Sequence, residues 1–319
     1  MIKTDNIIPH SKLIHGLLLT GGLILIAGCR TPDAARQVKG FSEATILTAN
    51  NLTQAFTLAE DYRFREEVSV SVLNFEPKPG SDGTPGFSPN RIEPFMNTNA
   101  LQLRLDVLEG LKAYAADLSA LMGNGLPISL DRETTKLGQA LNNINTNLVA
   151  DSFFKTAPAT SQEIQIFTTA LNTLGHWLMA HKQQREAKLA IASMQQPVAD
   201  ICQLLQKDLG ILRQQMLNDC HQTLMNENQY ILNNLSQFNN NPAQKRAAIL
   251  EMATLTREMR NDATLFDATK SSVAKLAAAN NALGQVFSKN TSDINSLIND
   301  LSAESRRISA YYNSLRTTQ

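Results

Sequence analysis

Apolar residues in the second half of the chain recur at steps of three and four, the interval that places them on one face of an α-helix. One such stripe runs through Ile249, Met252, Met259, Ala263 and Phe266, continues at Val273, Leu276, Leu283 and Phe287, and resumes at Ile294, Leu297, Leu301, Ile308, Tyr311 and Leu315. Asn241-Pro242 opens it, because asparagine caps a helix and proline is tolerated in the first turn. Unbroken, this stretch would reach about 100 Å at ~1.5 Å per residue. Gly284 is a weak breaker, and residues 267–272 are the expected place for any interruption.

A matching stripe precedes it. Thr160 and Glu163 have capping-box spacing, followed by Ile164, Phe167, Leu171, Leu174 and Leu178. The face continues through Ile201, Leu205, Leu209, Leu212, Met216, Cys220, Leu224, Ile231, Leu235 and Phe238. Pro197 is expected to kink or divide this helix, since it removes one backbone hydrogen bond and crowds the preceding turn. The tract Asn239-Asn240-Asn241-Pro242 then reads as the turn of a long antiparallel αα-hairpin over residues 160–319.

Residues 29–159 hold three shorter helical runs. The first, 34–68, carries Phe41, Leu47, Leu52, Phe56 and Tyr62; the second, 99–122, carries Leu101, Leu105, Leu108, Leu111, Tyr114, Leu118 and Leu121; the third, 130–154, carries Leu137, Leu141, Ile144 and Leu148. Packing them on the hairpin buries every stripe, which predicts an all-α, elongated helical bundle built on a long antiparallel αα-hairpin. One segment departs from the pattern. Val68-Ser69-Val70-Ser71-Val72 alternates like a strand, and the loop 76–94 after it is rich in Pro and Gly, read either as a surface excursion or as a proline-rich docking surface.

The first 28 residues change the picture most. A polar start with Lys3 and Lys12 leads into an apolar stretch from Leu13 to Ile26, then to Ala27 and Gly28 before Cys29. This order is that of a secretory signal peptide, too short for a span of roughly 20 apolar residues. Ile26-Ala27-Gly28-Cys29 resembles the lipobox of bacterial lipoproteins; the resemblance covers residues 1–29 only. It implies cleavage before Cys29 and lipid attachment to the Cys29 thiol, with a membrane as partner through that lipid. One chain binds a bilayer only marginally at ~0.8 kcal/mol per buried methylene, so the two or three chains of such lipoproteins make the attachment stable. Arg30 is not the aspartate that resembles an inner-membrane retention signal in these families, which implies the outer membrane, periplasmic side.

Charge narrows the function. Of 29 basic and 29 acidic residues, the first 28 positions hold Lys3, Lys12 and Asp5, so the mature chain is within one charge of neutral. Nucleic acid is therefore not an expected partner. No metal-binding His-Glu-x-x-His, nucleophile elbow or phosphate loop occurs, and no cofactor is expected. His176, His181 and His221 read as surface or core-edge residues. Cys202 and Cys220 lie eighteen positions apart, ~27 Å along one helix, beyond the ~7 Å that a disulfide spans. Either both are buried as small apolar residues, or the helix folds back near Gly210, or they pair between molecules. The sequence thus predicts a non-enzymatic envelope lipoprotein, a helical scaffold or partner-binding protein with an envelope protein as its partner. The alternative is an enzyme or small-ligand carrier whose site is assembled between helices.

Overall fold

The structure, a computed structural model, describes residues 32–73, 94–123, 131–154, 158–180, 187–285 and 292–316. Among them are nine helices and no strand: α1 (Pro32–Leu73), α2 (Thr98–Met122), α3 (Asp131–Asn142), α4 (Thr146–Asp151), α5 (Ser161–Ala180), α6 (Ala187–Asn233), α7 (Leu235–Asn240), α8 (Pro242–Leu283) and α9 (Ser292–Arg316). The all-α class is as the stripes predict. The longest helix, α6, has 47 residues, about 70 Å at ~1.5 Å per residue.

Cross-helix bonds set the directions. Between α6 and α8, Cys220 meets the Leu255 carbonyl, Arg213 pairs with Asp267, and Met194 and Gln195 meet Asn280 and Asn281. As one number rises the other falls, so the two run antiparallel. α1 runs parallel to α9 and antiparallel to α8, as Gln37–Asn295 and Thr48–Ser305 show for the first, and Thr48–Ser272 and Tyr62–Asp262 for the second. α2 closes another side against α1, and α3 packs on α5.

The second arm of the hairpin is shorter than its stripe implied. α8 ends at Leu283 with Gly284 as its C-cap, and α9 folds back along it. Gln195 of α6 meets this end: its amide donates at 3.1 Å to the Asn281 carbonyl, which also accepts from the Gly284 N–H. A Cβ on residue 284 would sit 2.0 Å from that amide nitrogen, so a larger residue there would push the Gln195 side chain out of this bond. Residues 267–272 do not break, because their polar groups are satisfied across helices. Asp267 pairs with Arg213, and Ser272 lies buried between Thr48 and Ser305.

Four other expectations are corrected. Val68–Val72 is helical: Arg63 pairs with Glu66 and Glu67 one turn on, and Ser69 is buried, donating to the Glu66 carbonyl and accepting from Asn226 of α6. Tertiary contact overrides local strand preference there. Of the two outcomes expected at Pro197, division of α6 does not occur; the carbonyl it deprives of a donor belongs to Ser193, on the exposed side. The 130–154 run splits at Asn143–Asn145, where Asn145 caps α4 by accepting from Leu148 N, and Asn172 of α5, its amide nitrogen toward α3, donates to the Leu141, Asn142 and Ile144 carbonyls. The hairpin turn is wider than the Asn tract, since α7 intervenes between α6 and the Asn241 cap of α8.

The Thr160–Glu163 capping box forms as expected. The Glu163 carboxylate accepts from Thr160 N at 2.8 Å and from Lys207 Nζ of α6, and these bonds hold it down at about 2. Small residues bring α3 and α5 into backbone contact, where a Cβ on Gly175 would fall 2.4 Å from Asn142 N.

Buried polar groups cross the apolar core, three sets of them involving α8. Tyr114 Oη donates to Asn280 Oδ1 at 2.9 Å, and Asn280 Nδ2 donates to the Met194 carbonyl. Thr48, Ser272 and Ser305 meet hydroxyl to hydroxyl at 2.8–3.2 Å where α1, α8 and α9 converge. Tyr62 Oη donates to Asp262 Oδ2 at 2.8 Å. These cross-helix bonds form in one register of the helices; a slip by a turn buries the bonded groups without partners, at about 1–3 kcal/mol each.

Candidate functional site

Cys29, the expected lipid attachment site, lies outside the described residues, as do His181 and all of the Pro/Gly-rich loop except Pro94. His176 on α5 and His221 on α6 are exposed and on different helices. Among the described residues no three His, Cys, Asp or Glu side chains gather closely enough to hold a metal. No helix among them is long and apolar enough to cross a membrane.

Cys202 and Cys220 are both free and fully buried. α6 is continuous through Gly210, so the helix does not fold back to bring them together. Burial pushes the Cys202 thiol up to about 12 and the Cys220 thiol up to about 11. Neutral and enclosed, they behave as small apolar side chains.

Charge and exposed apolar surface converge at one end of the bundle. There α1, α6 and α8 run on past the end of α9 and leave a groove of about 540 Å³, with Val68, Met252 and Leu255 along it. Two large apolar side chains on its rim are half exposed, Phe64 at 52% and Leu250 at 54%, and Ile249 beside Leu250 is 50% exposed. Exposed apolar side chains scattered singly are ordinary; clustered around a concavity they mark a contact surface.

The groove's polar groups fall into two sets. Beneath it, Arg65 donates to Glu258 Oε2 at 2.8 Å while its guanidinium lies 5.6 Å over the Tyr62 ring. Tyr62 in turn holds Asp262, whose second oxygen, Oδ1, is buried with no hydrogen-bond partner. Burial first, and Glu258 nearby, push Asp262 up to about 6, against the pull of the Tyr62 hydrogen bond and Arg65. The other set lines the groove: Glu227 of α6 and Glu251 of α8. Partial burial raises the Glu227 carboxyl, and Glu251 raises it further. Arg65 already answers Glu258, whereas Glu227 and Glu251 repel each other with no ion pair of their own among the described residues. The groove combines a concave shape, exposed apolar area and negative charge.

Patterning along the sequence did not single out Asp262, Glu227 or Glu251, although one signal was present. Asp262 falls on the α8 stripe between Met259 and Phe266, where an apolar residue is expected. A carboxylate at a core position needs a partner, and Tyr62 is that partner.

No protein-family model matches the chain, and no curated protein and no solved structure matches it.

Proposed function

We propose that this chain is a bacterial lipoprotein, acylated on Cys29 and held at the periplasmic face of the outer membrane, whose helical body works as a non-enzymatic scaffold or partner-binding protein. The observation that carries this reading is the lipobox-like Ile26-Ala27-Gly28-Cys29 with a secretory leader before it, followed three residues later by the first residue of α1. Three residues of chain reach at most about 11 Å. An acyl anchor on Cys29 would therefore hold the start of α1 close to the bilayer. The groove, near the other end of α1, would then face away from the lipid by about 50 Å, the rise of the helix from Pro32 to Phe64–Val68. The body's near-neutral charge and exposed apolar rim suit contact with a protein.

The test is Cys29→Ser in the full chain, followed by labelling with radioactive palmitate. The variant is expected to take up no label and to accumulate as precursor retaining residues 1–28. Normal labelling and processing would rule out Cys29 as the anchor.

A further inference from the structure

We propose that the groove beyond the end of α9 is the docking site for an amphipathic helix of a partner protein that carries lysine or arginine beside its apolar face. The proposal rests on the partner-binding part of the reading above and not on the acyl anchor.

The shape argument comes from α9 itself. α9 lies against both α1 and α8, with Ile308 and Tyr311 on the side that faces Leu265 and Ala268 of α8. Its C-terminal turns are level with Asn261 and Asp262, where Tyr311 lies beside Asn261. α1 and α8 continue past this level, to Leu73 and back to Pro242. Among the described residues no helix occupies the continuation of this furrow, along Leu255, Met252 and Ala248 of α8 at the three-to-four spacing that α9 uses further down. From Glu258 to Ala248 it extends about 15 Å, or three helical turns. A helix presenting apolar residues at i, i+3 or i+4, and i+7 fits such a seat.

Charge selects among the possible occupants. Where α9 occupies its own part of the furrow, Lys275 of α8 answers Glu304 of α9. In the open part the sign is reversed: the walls supply Glu227 and Glu251, and Arg65 is already committed to Glu258. A cation from the occupant would relieve the repulsion between the two carboxylates. A second copy of this chain, pairing groove to groove about a twofold axis, would bring four such carboxylates together. An anionic lipid surface would be repelled.

The test places a photo-reactive phenylalanine at position 250 of the full chain in the cells that make it, with a second strain bearing it at exposed Thr169 as reference. Crosslinked peptides are then sequenced by mass spectrometry. The expected product joins position 250 to a segment of another protein with apolar residues at three-to-four spacing and at least two Lys or Arg. Its yield is expected to fall about tenfold or more in the Glu227→Lys, Glu251→Lys double variant, because like charges then face each other. It is expected to hold in Glu43→Lys, with the melting temperature of all variants unchanged. An adduct to residues 74–93 of the same chain, to a second copy or to lipid, a yield insensitive to the charge reversal, or no adduct above the reference would each overturn the proposal. The mass of the Cys29 peptide from the same sample reports the anchor separately, so an unacylated chain and an unoccupied groove are distinct results.

Discussion

Replacing Arg104 by methionine is expected to lower the unfolding free energy by about 3–5 kcal/mol, the range seen when one partner of a buried ion pair is removed. Arg104 is fully buried and Asp208 is 1% exposed. The guanidinium donates to both Asp208 oxygens, at 3.0 and 3.3 Å, and to Ser152 Oγ at 2.7 Å, and it lies 5.6 Å over the Phe153 ring. It thereby ties α2 to α6 and to the end of α4. Methionine fills the volume but strands the Asp208 carboxylate in the core. The Arg104→Met, Asp208→Leu double variant is expected to recover most of the loss, since a neutral apolar pair of similar size removes the stranded charge. Urea denaturation of the three chains checks both statements. A loss below ~1 kcal/mol in the single variant, or no recovery in the double, would show that the pair is not enclosed as described.

The second large effect depends on pH. Asp262 is 3% exposed and its carboxyl is raised to about 6 from an ordinary 3.8. The folded chain thus holds this proton more tightly than the unfolded chain. Its stabilising contribution is therefore complete below about pH 4 and is lost as pH rises through about 6, so at neutral pH the ionised carboxylate works against the fold. Asp262→Asn keeps an oxygen that accepts from Tyr62 and has no charge to bury. Relative to the wild type, the variant is expected to gain stability between pH 4 and pH 7, by about 2–3 kcal/mol, since each tenfold difference in proton affinity between folded and unfolded chains is worth ~1.4 kcal/mol. Paired melts across that range measure the difference. A constant offset would mean that Asp262 titrates normally.

These two sites show what patterning along the chain reveals and what it conceals. Helices were legible wherever apolar residues repeat on one face, as in α5, α6 and α8, and the Thr160–Glu163 and Asn241–Pro242 caps act where they were expected. The face of α2 was less legible because leucines surround it. Leu101 and Leu105 are half-buried, whereas Leu103, Arg104, Val107 and Leu108 face the core. Periodicity could not assign an arginine to that face, since the reason it can be buried is Asp208, on another helix and 104 residues away. Gly284 was visible as a weak breaker. That α8 ends against Gln195 of α6 is a contact only the fold creates. Asn280 and Ser305 fall on or beside the apolar stripe, and both are bonded members of buried layers. The groove was least legible of all. Its walls come from three helices, α1, α6 and α8, that only the fold brings together.

Intact-mass measurement of the protein purified from membranes tests the reading of this chain as an anchored bundle most directly. The expected product is a polypeptide beginning at Cys29, heavier than residues 29–319 by a diacylglyceryl group with or without one further acyl chain. A polypeptide that retains residues 1–28, or one that begins at Cys29 with an unmodified thiol, would contradict it.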